Sequence, residues 1–588
     1  MTSSNEKAPA AELSGRLKWR MAAGIFFTVL AIYVLTSPGR IDIIDGQARY
    51  DVAYHWLLEG RPLLSDPLIK DSMSVKGRSG LNYSYYGPAG SVFAMPLLWL
   101  GFLHDDPPGE TSRFFFSLTS AVFGALIAVV VFLFYLELRV PLRKALAWTM
   151  LGAFATYIWP ISNSSFDNAQ HAFFVIAAFY LGFMSAERKS RLLAMTGGLT
   201  AGVLILYQEY FLLIIPALAI STLNWRDAKE PASGREQAGG AEHRGNPQGR
   251  QLIHAARTVL AWIRSAYQRP GVARESFLRF ALFLVSTSAG GILSLAYNHL
   301  RFGSFLQNGK VVFAAQRGYP LLGNPVTGFL TLLVSPGKSI FLYSLPVILG
   351  LWGFRALWRL QPEIGAVLVG VTAILVLFIS CISFAGGDWC WGPRYLAPLI
   401  PCWALPFPFV SVKGRLQRKL MLAILAAGML TQGLALSVEN QRFFFERGLN
   451  DFFWAEDPWY YFRHSALYAR VGEAVSLKDG LPPSARWFNS IPDAGWLTYT
   501  VLGPPKHIPR RQAPQWLTER KVFYLPKPWP LWMWRIKPDL RPINLEAWLG
   551  ALLGMALLGL ALILRSFPII TTAPSPDEGV LAQRLGID

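Results

Sequence analysis

Three aspartates, Asp42, Asp45 and Asp51, lie close together just after the first apolar run of the chain. A carboxylate beside the low-dielectric edge of a membrane can take a proton as a general base or bind a metal ion. An acid in this place can equally pair with a neighbouring cation such as Arg49, or cap the helix that follows. The residue types leave a catalytic and a structural interpretation open for each of these acids.

Cations and aromatic side chains follow in the same segment. Lys76 and Arg78 come shortly before an aromatic run that contains Tyr85 and Tyr86. Cations beside aromatic rings suit a ligand with a phosphate and a sugar, through charge-assisted hydrogen bonds and stacking. The structural alternative is an interfacial belt of aromatic residues, with lysine side chains that reach toward water.

Other polar residues stand at the ends of later apolar runs. Arg394 lies in a tryptophan-rich loop, where it is a candidate phosphate ligand or a partner for Asp388. Asp167, His171 and Glu209 are weaker candidates, because a lone histidine or acid at a helix end usually has a structural hydrogen bond. We therefore keep Arg394 as a candidate binding residue from its chemistry alone.

The elements that position these residues follow from composition. Of 588 residues, 53% are hydrophobic and 15% are charged, whereas soluble domains carry about 25% charged residues. Apolar runs of about 17–25 residues recur along the chain, each long enough to cross a bilayer. The sequence therefore predicts an all-α polytopic membrane protein and excludes a cytosolic enzyme, a disulfide-rich secreted scaffold and a disordered protein.

The formal net charge of +19 arises mostly in short loops between apolar runs, as the positive-inside rule predicts, so we expect no nucleic-acid partner. The three cysteines show neither disulfide nor zinc spacing. The sequence also contains no motif for ATP hydrolysis, serine hydrolysis or zinc proteolysis. The charge therefore indicates membrane orientation rather than a polyanionic partner.

The lysine and arginine bias predicts about twelve membrane-spanning helices with both termini in the cytoplasm. Two apolar stretches, 90–101 in the first outer loop and 324–334, are too short to span and favour interfacial or re-entrant helices. Two further predicted spans meet on the outer side near Glu209. The other ten predicted spans lie at about 21–37, 112–137, 145–160, 169–186, 276–297, 339–354, 363–383, 396–411, 420–437 and 546–564.

The same bias predicts the organisation of the chain. A first transmembrane module contains an outer loop with candidate catalytic residues, and a flexible basic cytoplasmic loop separates it from a second module. A long outer segment includes the aromatic anchor 526–535. The predicted segments are 1–20 (cytoplasmic tail), 21–223 (first module), 38–111 (its first outer loop), 224–275 (basic loop), 276–437 (second module), 438–545 (outer segment), 546–564 (last span) and 565–588 (cytoplasmic tail).

Taken together, these features resemble the C-type (GT-C) membrane glycosyltransferases, which include protein O-mannosyltransferases and the aminoarabinose transferases of lipid A. The resemblance covers roughly residues 20–440. It depends on Asp45 in the first outer loop, on Tyr85-Tyr86-Gly87-Pro88 before a short apolar helix, and on Asp167 in the second outer loop. The runs 297–303, 335–338 and 392–395 are similar to stretches of uncharacterised bacterial members.

The resemblance implies transfer of a hexosyl or pentosyl group from a polyprenyl-phosphate donor, with inversion, at the outer face of the cytoplasmic membrane. It implies Asp45 as general base, with Asp167 as a supporting acid. Many mannosyltransferases carry two adjacent acids in the first loop, but Gly46 follows Asp45 here. Asp42 and Asp51 are the candidates for a second carboxylate, although neither is adjacent to Asp45, and Asp51 is the third catalytic candidate. A divalent cation is compatible with the resemblance, although we assign no residue to a metal.

The resemblance also implies the partners. Arg394, Lys76 and Arg78 are the candidates to hold the departing phosphate, and Arg49, Tyr85 and Tyr86 the candidates to bind the donor's phosphate or sugar. Membrane lipid surrounds the chain, and the acceptor is a glycan, a lipid or a protein. The alternatives from other classes are a lipid or polysaccharide transporter and a non-catalytic assembly protein. A transporter is less favoured, because the polar clusters lie at one face and no internal repeat is evident.

Overall fold

The computed structural model describes residues 15–66, 69–104, 110–223, 270–318, 320–387, 389–438, 443, 459–476, 496–499, 506–509 and 545–566. Most of this part of the chain is helical. The α-helices are α1 (Gly15–Leu35), α2 (Ile44–Glu59), α3 (Lys70–Met73), α4 (Ala89–Phe102), α5 (Glu110–Ser117), α6 (Thr119–Glu137), α7 (Leu142–Ala155), α8 (Ile158–Ser162), α9 (Asn168–Glu187), α10 (Arg191–Tyr207), α11 (Ile215–Ala219), α12 (Pro270–Phe302), α13 (Gly309–Arg317), α14 (Pro325–Leu333), α15 (Ile340–Tyr343), α16 (Val347–Leu360), α17 (Pro362–Cys381), α18 (Ile400–Ala404), α19 (Arg415–Ser437), α20 (Tyr460–Arg463), α21 (Ala466–Ser476) and α22 (Leu545–Leu564).

Short 3₁₀ helices and two hairpins complete the described structure. The 3₁₀ segments are Arg78–Gly80, Glu209–Ile214, Ile220–Thr222, Arg394–Leu399 and Phe407–Phe409. The strands form two antiparallel pairs, β1 (Ser74–Lys76) with β2 (Asn82–Ser84), and β3 (Trp496–Tyr499) with β4 (Lys506–Pro509). The first hairpin leads directly into the predicted aromatic run, so it sets the position of Tyr85 and Tyr86.

Seven helices in the described ranges are long and apolar enough to cross a membrane. They are Gly15–Leu35, Thr111–Glu137, Asn168–Glu187, Arg274–Phe302, Pro362–Cys381, Arg415–Ser437 and Glu546–Leu564. The protein is therefore a mostly helical, multi-pass membrane protein, as the composition predicts. The other five predicted spans correspond to shorter or interrupted helices, such as α7 followed by α8, and the count of twelve stays a prediction.

The first span begins earlier than the sequence predicts. α1 begins at Gly15, so the cations Arg16, Lys18 and Arg20 belong to the helix, and the Lys18 ammonium lies 3.5 Å from the Glu137 carboxylate. Long basic side chains at a helix end reach the membrane surface while their stems stay in apolar surroundings. A polar end can therefore continue a membrane helix past the apolar run that predicts it.

α12 shows the same effect at its other end. The predicted span is 276–297, yet the helix continues to Phe302 and the chain turns at Gly303 with a φ of 74°. Its last turns carry Asn298 and Arg301, whose side chains are buried against the first hairpin. Because these polar groups have partners in the protein, the helix extends beyond its apolar part.

The short apolar stretch in the first outer loop forms α4, a helix of 14 residues. A helix of this length is about 21 Å long, less than the roughly 30 Å of a bilayer's hydrocarbon core. α4 packs against α2 and α5. It therefore supports the helix that carries Asp45 and Asp51.

Buried tyrosines tie the spans together through hydrogen bonds to backbone carbonyls. The Tyr33 hydroxyl on α1 donates to the carbonyl of Ala153 at 2.7 Å. The Tyr135 hydroxyl on α6 donates to the carbonyl of Ala404 at 2.7 Å. A buried tyrosine hydroxyl usually has such a partner. These hydrogen bonds hold α1 against α7 and α6 against α18 beneath the outer loops.

Several predicted segments lie mainly outside the described residues. They are the flexible basic loop 224–275 apart from its last six residues, the aromatic anchor 526–535, most of the outer segment 438–545 and most of the terminal tails.

Candidate functional site

Asp45 and Arg49 lie one turn apart on α2 and therefore share one face of the helix. Both side chains are buried, at 7% and 4% exposure. A buried charge is stable only when it is paired or hydrogen-bonded. The partners of these two residues consequently define the site.

Arg394 is the partner of Asp45, although the two residues are 349 positions apart. Its Nη1 donates to Asp45 Oδ2 at 2.8 Å, and its Nη2 donates to the Tyr395 hydroxyl at 3.2 Å. The guanidinium also stacks over the Phe166 ring at 4.0 Å. Burial opposes the charge on Arg394, but Tyr395 and Asp45 outweigh it and raise the pKa well above its ordinary value. Arg394 is therefore a permanent cation in contact with the candidate base.

Arg49 is paired with the acid of the second outer loop. Its Nη2 lies 2.8 Å from Asp167 Oδ2, and His171 Nε2 lies 3.4 Å from the same oxygen. Burial raises the pKa of Asp167, but Arg49 and then His171 outweigh this effect, so the net pKa lies below its ordinary value. Asp167 is thus a poor proton acceptor and acts as a fixed anion that orients Arg49.

The two ion pairs form one site, which we call the charged cluster: Asp45, Arg49, Asp167 and Arg394. The charges of Asp45 and Arg394 act on Arg49 in addition to that of Asp167. Two donors of the cluster, Arg49 Nη1 and Arg394 Nε, are buried and make no hydrogen bond within the described residues. Guanidinium groups with unused donors suit an anionic ligand such as a phosphate.

Asp42 joins the two loops that supply the acids. Its carboxylate accepts hydrogen bonds from the Ser165 amide at 2.7 Å and from the Ser164 hydroxyl at 2.9 Å. The loop just before Asp167 is therefore hydrogen-bonded to the segment just before Asp45. This contact explains how α2 and α9 bring their acids together.

Gly46 allows this close approach. A Cβ atom at position 46 would lie 2.5 Å from the Cβ of Ser165, closer than side chains can approach. A second acid directly after Asp45, as many mannosyltransferases have, would therefore displace the loop of Asp167. The absence of the paired acids follows from the packing of these two loops.

Tyr85 and Tyr86 form an aromatic wall of the site. Their hydroxyls lie 3.0 Å apart, and Arg49 stacks over the Tyr86 ring at 4.2 Å. Burial, followed by the charge of Asp45, raises the pKa of both phenols well above their ordinary value. Both phenols are therefore neutral and able to donate or accept a hydrogen bond.

Arg301 positions this aromatic wall, a role that the sequence did not predict. The side chain is 1% exposed, and its Nη1 donates to the carbonyls of Ser84 and Tyr86 at 2.6 and 3.0 Å. Its Nη2 donates to Asn298 Oδ1 at 2.7 Å. The run 297–303 was noted in the sequence, but the two carbonyl partners of Arg301 lie more than 200 residues earlier, so sequence spacing gives no indication of them.

Lys310 is a second residue that the sequence analysis did not identify. It lies in the first turn of α13, whose start is capped by the Asn308 side chain. The charges of Glu209, Asp167, Arg394 and Asp45 act on its ammonium group. Burial lowers the pKa of Lys310 to about 8. The asparagine cap followed by Gly309 predicts a helix start, but nothing in the local pattern indicates that the helix faces the charged cluster.

The structure does not bring the other predicted residues into the charged cluster. Asp51 Oδ2 accepts the backbone amides of Ser65 and Asp66 at 2.7 and 2.9 Å. Lys76 and Arg78 are exposed, the first on β1 and the second on the 3₁₀ turn that connects β1 to β2. Their predicted roles in catalysis and phosphate binding stay predictions.

The residues of the site do not fit a resident divalent cation. In the part of the chain that the structure describes, no three histidine, cysteine, aspartate or glutamate side chains are grouped closely enough to bind a metal ion. Asp45 and Asp167 each direct a carboxylate oxygen to an arginine instead. We therefore assign no chemical step to a metal.

Comparison with known proteins gives a limited likeness. No protein-family model matches the chain, and no characterised protein matches its sequence. The structure is similar to the apo oligosaccharyltransferase of Archaeoglobus fulgidus, with a TM-score of 0.39 and 14% identity over 72% of this chain and 56% of that chain. For the same organism's AglB in complex with an inhibitory peptide and a dolichol-phosphate, the TM-score is 0.39 and the identity 13%, over 76% and 59%. The chain thus spans less than two thirds of the length of these proteins, and its activity has to follow from its own residues.

Proposed function

We propose that this protein is a membrane glycosyltransferase that moves a sugar from a polyprenyl-phosphate donor to an acceptor hydroxyl. The observation that carries this proposal is the charged cluster, where Asp45 and two arginines lie beside Tyr85 and Tyr86 at the ends of apolar spans. An anion-binding pair of guanidinium groups next to an aromatic wall suits a phosphate joined to a sugar.

In the proposed reaction, the acceptor oxygen forms a bond to the anomeric carbon as the bond from that carbon to the phosphate oxygen breaks. The electron pair of the broken bond goes to the phosphate, and the acceptor proton goes to the Asp45 carboxylate. Attack opposite the leaving group inverts the anomeric configuration. A positioned base typically contributes about 10²–10⁴-fold to such a rate.

We propose Asp45, rather than Asp167, as the base of the cluster. The pKa of Asp167 lies below its ordinary value because Arg49 and His171 stabilise the ionised form more than burial opposes it, so Asp167 has little tendency to accept a proton. Asp45 lies in the first turn of α2, where Arg394 contacts one carboxylate oxygen. The second oxygen of Asp45 is the proposed proton acceptor.

The arginines act on the leaving group in this proposal. As the sugar departs, the phosphate gains negative charge, and fixed cations stabilise that change most effectively in a site with little water. Arg394 and Arg49 are both buried and each has an unused donor among the described residues. We propose that these donors bind phosphate oxygens, while Lys76 and Arg78 at the surface attract the lipid-linked anion.

The proposed setting is the outer face of the cytoplasmic membrane, with about twelve spans and both termini in the cytoplasm. Lipid-linked sugars are the donors that this face provides, which agrees with the lack of any nucleotide-binding motif in the sequence. The acceptor is a glycan, a lipid or a protein, and we propose that segment 438–545 helps to select it.

The test compares wild type with Asp45→Asn in purified protein reconstituted in lipid. Each is incubated with a panel of radiolabelled polyprenyl-phosphate sugars and a membrane extract that supplies acceptors. We expect transfer by wild type and at least a 100-fold loss in the variant, because asparagine cannot accept the proton. Glu59→Gln is the matched control, since Glu59 is an exposed acid at the far end of the same helix.

Thermal unfolding of all three proteins separates a chemical defect from a folding defect. Full transfer by a well-folded Asp45→Asn protein would move the base to Asp51 or Asp167. No transfer by wild type with any donor of a broad panel would overturn the glycosyltransferase proposal and favour a transporter.

A further inference from the structure

Most cations near the charged cluster already have partners. Arg49 and Arg394 are each held in an ion pair at 2.8 Å. Arg301 and Lys338 donate to backbone carbonyls. A phosphate that binds these side chains must therefore share them with the groups that hold them now.

Lys310 differs from these four residues. Within the described part of the chain, its ammonium group takes part in no hydrogen bond or ion pair, although the side chain is half-buried. Its backbone amide donates a hydrogen bond to Asn308 Oδ1 at 2.8 Å. A partly desolvated ammonium without a partner is energetically unfavourable, so an anion bound to Lys310 would offset this cost.

The packing of α13 fixes where this ammonium group can reach. Gly309 lies against the aromatic wall so closely that a Cβ atom there would be 2.6 Å from the Tyr85 carbonyl oxygen. Phe313, one turn after Gly309, stacks on the Tyr85 ring with centroids 4.2 Å apart. The first turn of α13, which contains Lys310, therefore lies next to Tyr85.

Charges from several elements act on Lys310 in this position. They come from Glu209 on its 3₁₀ helix, Asp167 before α9, Arg394 on its 3₁₀ helix and Asp45 on α2. Three of these four groups are the anions and the cation on which the proposed reaction depends. Lys310 is thus in electrostatic range of the reacting groups without being neutralised by any one of them.

We propose that Lys310 binds the phosphate of the lipid-linked donor and stabilises the charge that this phosphate gains when the sugar leaves. This inference rests on the proposed function. Lysine suits the task because its ammonium is a compact point charge on a flexible stem, so it can follow the phosphate as its bond to the sugar lengthens. The arginines fix the orientation of the phosphate, and Lys310 supplies the movable cation.

The lowered pKa of Lys310 is consistent with this role. At about 8, the ammonium is mostly charged at neutral pH and loses its proton in mildly alkaline solution. Phosphate binding to wild type should therefore weaken as the pH rises above about 8. An arginine at position 310 stays charged throughout this range, so Lys310→Arg should keep its phosphate binding to higher pH.

The test measures binding and needs no transfer reaction. Purified full-length protein in lipid is titrated with farnesyl phosphate and, separately, with farnesol, which has the same chain without the phosphate. The ratio of the two dissociation constants reports recognition of the phosphate alone. We expect wild type to prefer farnesyl phosphate and Lys310→Gln to lose about 10-fold or more of that preference, the usual loss for a hydrogen bond to a charged group.

Two further variants complete the test. Lys310→Arg should keep most of the preference at pH 7, and Arg317→Gln, an exposed cation on the same helix, should keep all of it. Thermal unfolding checks each variant, and Lys310→Ala provides a second neutral replacement if the glutamine variant does not fold.

The outcomes distinguish this inference from the proposed function. If wild type prefers farnesyl phosphate and the neutral variants prefer it equally, the role of Lys310 is overturned and the donor class stands. If wild type shows no preference, the phosphate-linked donor itself is overturned, and the role of Lys310 with it.

Discussion

The two halves of α2 carry the same kinds of side chain and use them differently. In the first turn, Asp45 contacts the guanidinium of Arg394, a residue 349 positions away in the chain. In the middle of the helix, Asp51 contacts the amides of Ser65 and Asp66, only 14 and 15 residues away. A carboxylate satisfied by nearby backbone amides folds a loop, whereas a carboxylate held by a distant arginine can also serve chemistry.

The difference does not arise from burial, because Asp45 and Asp51 are 7% and 6% exposed. A buried carboxylate is stable when it is either paired with a cation or hydrogen-bonded. Asp45 is paired with a cation, whereas Asp51 accepts two backbone amides of the loop that follows α2. Substitution of Asp51 should therefore affect stability more than turnover.

The largest expected effect tests the partner of Asp45 in the first turn of α2. Arg394→Lys should lower sugar transfer about 100-fold, the usual cost of removing one fixed donor from a developing negative charge. Lysine cannot contact Asp45 and Tyr395 together while it stacks on a ring. The transfer rate of Arg394→Lys is compared with that of Arg359→Lys, a variant of an exposed arginine elsewhere in the chain. An unchanged rate in a folded Arg394→Lys protein would show that the ion pair is structural.

The next effect tests the middle of the helix. Asp51→Ala should lower the free energy of unfolding by about 2 kcal/mol, because two backbone amides lose their acceptor. Transfer per folded molecule should change by less than threefold. Asp51→Asn, which keeps an acceptor oxygen, should lose less stability. A stable Asp51→Ala protein without transfer would contradict this division and make Asp51 the base.

A smaller effect is expected at the surface hairpin. Lys76 and Arg78 are exposed, and exposed charges contribute little at physiological ionic strength. The double variant Lys76→Gln, Arg78→Gln should lower transfer by about threefold in 0.15 M salt and by more in 0.01 M salt. A tenfold or greater loss that does not depend on salt would place these residues in direct contact with the donor.

The smallest effect concerns pH. A hydrogen bond to Asp51 is the main cause that raises the pKa of His55 from 6.5, and burial opposes it. A raised folded-state pKa means that the charged histidine stabilises the protein fully below pH 6.5 and loses that contribution as the pH rises through the folded pKa. His55→Gln should therefore reduce the free energy of unfolding more at pH 5.5 than at pH 8.5, by roughly 0.5 kcal/mol for this partly exposed group. An equal reduction at both values would show that the charge of His55 has no role.

Much of the membrane architecture could be predicted from the sequence, because apolar length is a local property. Seven of the predicted spans are present as long apolar helices, and the stretch 90–101 forms a helix too short to cross. The ends were less predictable. α12 continues past its apolar run because Arg301 has buried partners, and such partners are not visible in a window of neighbouring residues.

In the candidate site, too, local features could be predicted and long-range contacts could not. The spacing of Asp45 and Arg49 already places them on one face of a helix, and the aromatic run contains Tyr85 and Tyr86. The pairing of Arg394 with Asp45 depends on how distant helices pack, so no local rule indicates it. Lys310 was missed for the same reason, because its significance depends on neighbours from four other elements.

α12 has a consequence for the height of the site. A helix of 33 residues is about 50 Å long, whereas the hydrocarbon core of a bilayer is about 30 Å thick. Arg301, near the end of this helix, donates hydrogen bonds to the carbonyls of the residues on either side of Tyr85. This long helix therefore sets how far the aromatic wall stands from the lipid headgroups, and bilayer thickness becomes a variable that would tune how the proposed lipid-linked donor meets the protein.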